Sequence, residues 1–159
     1  MPRIVLNISA PDFSLEAWDG TEVNLSDFKS DKNVLLVFNR GFACPFCRRH
    51  MAQLRDDFDK FEELDTVVVV IGPEDAASFQ SYWSNNNLPF IGLPDPRHSV
   101  LKLYGQKVNL FKLGRMPAMV VIDKASVVRF VHYGHSMSDI PANEDVLRTL
   151  QSLNKEFIK

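Results

Sequence analysis

The chain has 159 residues, of which 45% are hydrophobic and 24% are charged, and this length and balance predict one globular domain spanning residues 1–159. Its formal net charge of −2 argues against a nucleic-acid-binding protein, which would carry a basic surface. The two cysteines are too few for a disulfide-rich secreted scaffold, and no apolar run approaches the roughly 18 residues of a membrane span. Because the amino terminus also lacks the apolar segment of a signal peptide, we expect a cytoplasmic protein.

The first half of the chain predicts a hairpin, a buried strand and a long helix. Asp19-Gly20 lies between two segments in which apolar and polar residues alternate, and this dipeptide favours a tight turn. Residues 33–39 (NVLLVFN) are apolar enough for a strand that is covered on both faces. A helix is predicted over 44–64, because apolar side chains recur there at spacings of three and four, and Pro45 suits its first turn.

The second half alternates strands and helices. Residues 66–72 (TVVVVIG) predict a second buried strand, and helices are predicted over 73–85, 97–104 and 143–157, with an extended segment over 88–93. We expect a loop over 106–116 and a hairpin formed by 118–123 and 127–133. This order predicts an α/β protein with a thioredoxin-like fold, in which helices flank a mixed central β-sheet that follows an N-terminal β-hairpin.

The chemistry is indicated by Cys44-Pro45-Phe46-Cys47, since a Cys-x-x-Cys pair between a strand and a helix is typical of a redox centre. The spacing places both sulfur atoms on one helix face, within bonding range. Cys44 begins the helix, where free N–H groups and the helix dipole favour a thiolate, whereas Cys47 lies on the apolar seam, where burial raises a thiol pKa. We therefore predict that Cys44 attacks the substrate and that Cys47 resolves the intermediate as an internal disulfide.

Basic side chains surround the pair. Arg40, Arg48, Arg49 and His50 lie within a few residues of it, although positive charge in the first turn opposes the helix dipole. Such departures from local rules concentrate at functional sites. We expect these cations to favour the thiolate and to attract anionic partners.

Two other interpretations of the cysteines are open. They could be small core residues, or together with His50 they could hold copper or zinc. The remaining histidines lie far away in the sequence and there is no second cysteine pair, so we predict no metal site. Arg48 stands where a c-type haem would need histidine. No glycine-rich phosphate loop is present, so no organic cofactor is expected.

Two further features are candidates for substrate binding. Phe42 and Phe46 flank the cysteines and could form an exposed apolar rim for a docking partner. Met116-Pro117 precedes a predicted strand, and the proline is either a strand boundary or a cis-proline that faces the cysteines.

Several segments resemble the alkyl hydroperoxide reductase/thiol-specific antioxidant family, the peroxiredoxins. They are residues 10–15 (APDFSL), 23–28 (VNLSDF), 40–48 (RGFACPFCR) and 116–124 (MPAMVVIDK). The resemblance covers nearly the whole chain and implies a thioredoxin fold and thiol-based reduction of peroxides. It also implies that Cys44 is the peroxidatic cysteine.

The chain departs from the family pattern in two places. The family has Thr or Ser three residues before the peroxidatic cysteine and Pro four residues earlier, whereas this chain has Gly41 and Val37. The family also places an arginine near the start of the late strand, about where Pro117 stands. Arg40 or Arg115 could supply that charge. Together with the candidates named above, the predicted substrate-binding residues are Arg40, Phe42, Met116 and Pro117.

The resulting hypothesis is a peroxiredoxin-like thiol oxidoreductase that reduces peroxides or protein disulfides. An external reductant, either a thioredoxin-type protein or a small thiol, would restore the two thiols, and the family resemblance makes a homodimer an expectation. The alternatives are a copper or zinc carrier with a thioredoxin fold, and a non-enzymatic binding module that uses Phe42 and Phe46.

Overall fold

The computed structural model describes residues 3–106, 108–109 and 114–158. Its strands are β1 (Ser14–Glu16), β2 (Glu22–Asn24), β3 (Asn33–Phe38), β4 (Thr66–Gly72), β5 (Ile91–Pro94), β6 (Val108–Asn109), β7 (Gly114–Arg115), β8 (Ala118–Ile122) and β9 (Val128–Tyr133). Its helices are α1 (Pro45–Asp56), α2 (Phe58–Glu63), α3 (Ala76–Asn86), α4 (Ser99–Leu103) and α5 (Asn143–Ile158). Within the described ranges, no helix is long and apolar enough to cross a membrane.

The central sheet has five strands in the order β5-β4-β3-β8-β9. Strands β3, β4 and β5 run parallel, whereas β8 is antiparallel to β3 and β9 is antiparallel to β8. Strands β1 and β2 form a separate antiparallel hairpin, with Gly20 at positive φ in its turn. The expected mixed sheet and N-terminal hairpin are therefore confirmed.

Strand β3 occupies the centre of the sheet, and all its residues are buried. Its side chains alternate between two cores, because successive residues of a strand point to opposite faces. Leu36 belongs to the core that the hairpin and α4 cover, and Leu35 belongs to the core beneath α1, α2, α3 and α5. The carboxyl end of β3 leads directly into the cysteine segment, so this doubly covered strand fixes where that segment begins.

The prediction of a single helix over 44–64 is wrong. It is two helices, because α1 ends at Asp56 and α2 begins at Phe58 after a residue with φ −100° and ψ 10°. That residue, Asp57, accepts a hydrogen bond of 3.0 Å from the Asn143 side chain at the start of α5. Apolar side chains on both sides of the break remain buried, so the predicted inward face is correct even though the backbone is interrupted.

The loop expected over 106–116 is also wrong in part. Val108 pairs with Arg115 and Asn109 pairs with Gly114, which makes β6 and β7 a short antiparallel ladder. Two-residue strands are too short to produce an alternating apolar pattern, and this explains why the sequence indicated a loop.

We predict that Asp95 is a principal anchor of the loop after β5. Its buried carboxylate accepts hydrogen bonds from the backbone N–H groups of Ser99, Val100 and Leu101 and from the Ser99 hydroxyl, at 2.9–3.0 Å. Asp95→Ala leaves these donors without their acceptor and should lower the free energy of unfolding by about 2–4 kcal/mol. Urea unfolding followed by circular dichroism measures this change.

The matched control is Asp75→Ala. Asp75 is an exposed cap of α3, and its carboxylate accepts one backbone hydrogen bond, from Ser78 at 2.9 Å. Water can replace an exposed acceptor, so this variant should lose less stability. Equal losses in the two variants would contradict the role given to burial of Asp95.

Candidate active site

The turn between β3 and α1 is held by side-chain hydrogen bonds. The buried Asn39 accepts a bond from the Gly41 N–H at 2.7 Å, and its amide donates to the Met51 sulfur at 3.4 Å. Glu74 accepts a bond from the Phe42 N–H at 2.6 Å. Gly41 has φ +139°, and a Cβ there would lie 3.0 Å from a Glu74 carboxylate oxygen, so the turn requires glycine where the family has a hydroxyl residue.

Cys44 caps the amino terminus of α1. Its backbone is extended and its N–H donates to the Gly41 carbonyl at 3.2 Å. Its Sγ accepts a hydrogen bond from the Cys47 N–H at 3.5 Å, so the sulfur takes the place that a Ser or Asp oxygen usually has at a helix start. The expectation that Pro45 lies in the first turn is confirmed.

The environment of Cys44 favours its ionised form. Burial raises the pKa of the Cys44 thiol, but hydrogen bonds from the Cys47 N–H and thiol, the Arg40 side chain and the Phe46 N–H outweigh burial, so the net pKa is lowered. The opposite holds for Cys47, because burial raises its pKa to about 12. One sulfur that ionises more readily beside one that holds its proton is an asymmetry that supports the predicted roles of Cys44 and Cys47. Both cysteines are free in the structure.

Arg40 contacts the attacking sulfur. Its side chain donates to Cys44, and its backbone lowers the pKa of Cys47 through a further hydrogen bond. Arg40 therefore lies where the sequence predicted that Arg40 or Arg115 would supply a positive charge. The side chain of Arg115, the other candidate for that charge, lies outside the described residues.

The remaining basic residues divide into two groups. Arg48 and Arg49 are exposed on α1, whereas His50 is only 5% exposed. Burial lowers the pKa of His50 to about 4, so the expectation that His50 adds positive charge near the thiolate is wrong. No group of three or more His, Cys, Asp or Glu side chains in the described ranges could hold a metal ion, and the metal-carrier hypothesis gains no support.

The expected aromatic rim is wrong for Phe42. This side chain is half-buried and stacks on Tyr82 with ring centroids 4.5 Å apart, and it also contacts Phe79 and Trp83. Phe46 is 36% exposed and is the part of the rim that reaches solvent. Apolar residue type alone could not distinguish these two positions, because the ring partners of Phe42 come from α3.

Of Met116 and Pro117, only Pro117 shares a pocket with a cysteine, Cys47. Met116 is buried and its carbonyl accepts a hydrogen bond of 3.0 Å from the Gln106 side chain. Gln106 was not among the predicted site residues. The described residues contain no cis peptide bond, so of the two alternatives for Pro117 the strand boundary holds, because this trans residue directly precedes β8.

The pocket beside Cys47 also contains two side chains that were not predicted at the site, His132 and Asp139. They line it together with Cys47, His50 and Pro117. His132 is half-buried and hydrogen-bonded to Asp139 at 3.0 Å. The missing information was tertiary, since the segment after β9 folds back over the carboxyl end of β3.

Known protein sequences match most of the chain. A model of the AhpC/TSA family matches residues 6–131. Peroxiredoxin Q, chloroplastic, of Oryza sativa subsp. japonica is 33% identical over 147 residues, a match covering 91% of this chain and 66% of the relative. Peroxiredoxin Bcp of Bacillus subtilis is 31% identical over 101 residues, which are 64% of each protein. These matches therefore cover just under two thirds of the length of either relative.

Solved structures share the fold. The crystal structure of peroxidoxin BcpB from Mycobacterium tuberculosis has a TM-score of 0.81 and 24% identity, covering 93% of this chain and 97% of that one. The reduced 2-Cys peroxiredoxin of Plasmodium vivax has a TM-score of 0.84 and 21% identity, covering 96% of this chain and 83% of that one. At these identities the likeness concerns the architecture described above.

The contact between Arg40 and Cys44 predicts a specific effect on thiol reactivity. In a Cys47→Ser background, where Cys44 is the single thiol, Arg40→Met removes a hydrogen bond that lowers the pKa of Cys44. The thiolate fraction at about pH 6, and with it the rate of alkylation by iodoacetamide, should fall about tenfold.

Arg49→Met in the same background is the control, because Arg49 is exposed on the same helix and is not among the described residues that shift the pKa of Cys44. We expect it to change the alkylation rate less than about twofold. An Arg40→Met rate equal to that of the control would show that Arg40 does not stabilise the thiolate.

Proposed function

The chain belongs to the AhpC/TSA family, and on that premise we propose that it is a thiol peroxidase in which Cys44 and Cys47 reduce a small peroxide. The observation that carries the proposal is the pairing of Cys44, a helix-capping sulfur with a lowered pKa, with Cys47, a buried thiol one turn along α1. A thiolate is the nucleophile that peroxide reduction needs, and a second thiol one turn away can resolve the sulfenic acid once it has lost its proton.

The proposed cycle begins with the Cys44 thiolate. It attacks one peroxide oxygen, the O–O bond breaks, and the leaving alkoxide or hydroxide takes up a proton, which leaves a sulfenic acid on Cys44. Cys47 then attacks the Cys44 sulfur, so that an S–S bond forms, the S–O bond breaks and water leaves. Two electrons from an external thiol reductant restore both thiols.

Burial of Cys44 favours a peroxide over a protein disulfide as the substrate. The residue is 3% exposed, and thiol–disulfide exchange requires the attacking sulfur to reach a substrate sulfur through the mixed disulfide. A peroxide needs room for two oxygen atoms next to the thiolate. We therefore propose that the substrate is a small peroxide and not a protein disulfide.

The donors around Cys44 offer a replacement for the missing family hydroxyl at Gly41. The N–H groups of Cys47 and Phe46 and the Arg40 side chain already converge on the sulfur. We propose that the same donors hold the reacting peroxide oxygen as negative charge develops on it, since preorganised donors stabilise such charge without rearrangement. The external reductant, the homodimer and the cytoplasmic location stay predictions.

The test follows peroxide loss with dithiothreitol as the reductant, for the wild type and two serine variants. The wild type should consume hydrogen peroxide or an organic hydroperoxide with turnover, and Cys44→Ser should lose at least about 100-fold in rate. Cys47→Ser should still form the sulfenic acid on Cys44 but no internal disulfide, as mass spectrometry of quenched samples would show.

Reduction of insulin disulfides by the same three proteins is the comparison assay. We expect this reaction to be slow for the wild type relative to peroxide reduction, because Cys44 is buried. Retention of peroxidase activity in Cys44→Ser would overturn the assignment of the nucleophile. A wild type that reduces insulin but no peroxide would replace the proposed function with general disulfide reduction.

A further inference from the structure

The pocket beside Cys47 contains titratable groups that the peroxide-reducing step does not use. It lies between α1, the end of β3, the start of β8 and the chain after β9, and its titratable lining residues are Cys47, His50, His132 and Asp139. The rest of its lining is apolar apart from the Asn39 amide, whose oxygen and nitrogen are already bonded to Gly41 and Met51. The pocket therefore joins the resolving thiol to a small set of titratable groups, of which Cys47 and His50 are buried.

His50 is the unusual member of this set. It follows Cys47 by three residues on α1, a spacing that places two side chains on one helix face about 5–6 Å apart at Cβ. It is 5% exposed, and its Nε2 atom has no hydrogen-bond partner among the described residues. A buried polar atom without a partner costs free energy, so its presence next to the reactive pair calls for a functional explanation.

The other two titratable groups are committed to each other. The His132 Nε2 donates to one Asp139 oxygen at 3.0 Å, and the other Asp139 oxygen accepts a bond from the His135 N–H at 2.9 Å. These bonds lower the pKa of Asp139, the His135 N–H contributing most. That nitrogen and that carboxylate already have partners, whereas the Nε2 of His50 has none among the described residues.

The resolving step has a need that this arrangement meets. Cys47 is held as a thiol because burial raises its pKa, yet it must lose its proton to attack the sulfur of Cys44. We propose that His50 accepts the proton of the Cys47 thiol while the internal disulfide forms. This inference rests on the proposed function, because the step it concerns is the second step of that cycle.

The step balances without any other reactant. As the Cys47 sulfur bonds to the Cys44 sulfur, its proton passes to the neutral imidazole of His50 and the S–O bond of the sulfenic acid breaks. The departing hydroxide takes a proton from the imidazolium and leaves as water, so His50 ends neutral. The lowered pKa of His50 keeps the ring in its accepting form near neutral pH, and it requires proton transfer to accompany S–S bond formation rather than precede it.

The test measures the two steps separately by rapid quench and mass spectrometry after one equivalent of hydrogen peroxide. In His50→Gln, which keeps a polar side chain but no basic nitrogen, formation of the sulfenic acid should keep its wild-type rate. Formation of the internal disulfide should slow by at least about tenfold near pH 7. Equal slowing of both steps would show that His50 acts on the structure, and it would overturn the proposal.

The pH profile separates a proton acceptor from a structural role. The wild-type rate of disulfide formation should be nearly constant between about pH 6 and pH 8, because His50 is neutral throughout. In His50→Gln the rate should rise about tenfold for each pH unit, since hydroxide must then remove the proton from Cys47. If His50→Gln does not fold, the wild-type profile alone decides, and a wild-type rate rising tenfold per pH unit would overturn the proposal.

Two histidine variants complete the design. His135→Gln changes an exposed residue outside the pocket and should leave both steps and their pH profiles unchanged. His132→Gln tests the neighbouring histidine of the pocket. If His132→Gln gives the pH-dependent loss and His50→Gln does not, the proton acceptor is His132 and our assignment is wrong.

Failure of the proposed function can be told apart from failure of this inference. If peroxide forms no sulfenic acid in the wild type, the proposed function fails. Dithiobis-nitrobenzoate can then place a mixed disulfide on Cys44 with release of one coloured thionitrobenzoate, and release of a second thionitrobenzoate reports attack by Cys47. The same dependence on His50 and pH is expected in that reaction, and its absence would overturn the inference on its own.

Discussion

The hydrogen bond from the Cys47 N–H to the Cys44 sulfur, 3.5 Å long, joins the folding of α1 to the chemistry of the pair. A helix start leaves N–H groups without partners, and a side-chain acceptor at the cap satisfies one of them. Here the acceptor is the nucleophile itself, so the hydrogen bond that caps the start of α1 also favours the thiolate. Arg40 adds a second donor, and burial of Cys47 keeps the partner sulfur protonated.

The position of this sulfur depends on the elements that precede it. Strand β3 is covered on both faces and ends at Phe38, after which Asn39 and Glu74 hold the turn through hydrogen bonds to Gly41 and Phe42. A turn with a residue at φ +139° excludes the hydroxyl side chain that relatives place three residues before the cysteine. In this chain the donors at the sulfur are the N–H groups of Cys47 and Phe46, the Cys47 thiol and the Arg40 side chain.

The sequence contained enough information for the framework and for the reactive pair. Apolar runs such as 33–39 predicted β3, and the spacing of Cys44 and Cys47 predicted their contrasting environments, because both signals are local. At the helix interruption Asp57 is hydrogen-bonded to Asn143, and His50 lines a pocket with residues from far along the chain. Such features arise from tertiary packing, which spacing along one helix does not encode.

The chemistry depends on Cys44 ionising below the usual pKa of a cysteine while burial keeps Cys47 a thiol. Ultraviolet titration of thiolate absorbance in the reduced protein, repeated with Cys44→Ser and with Cys47→Ser, measures this most directly. We expect one thiol of the wild type to titrate below the usual pKa of cysteine. This titration should persist in Cys47→Ser and disappear in Cys44→Ser. If both thiols of the wild type titrate at or above the usual pKa of cysteine, Cys44 is not the activated nucleophile.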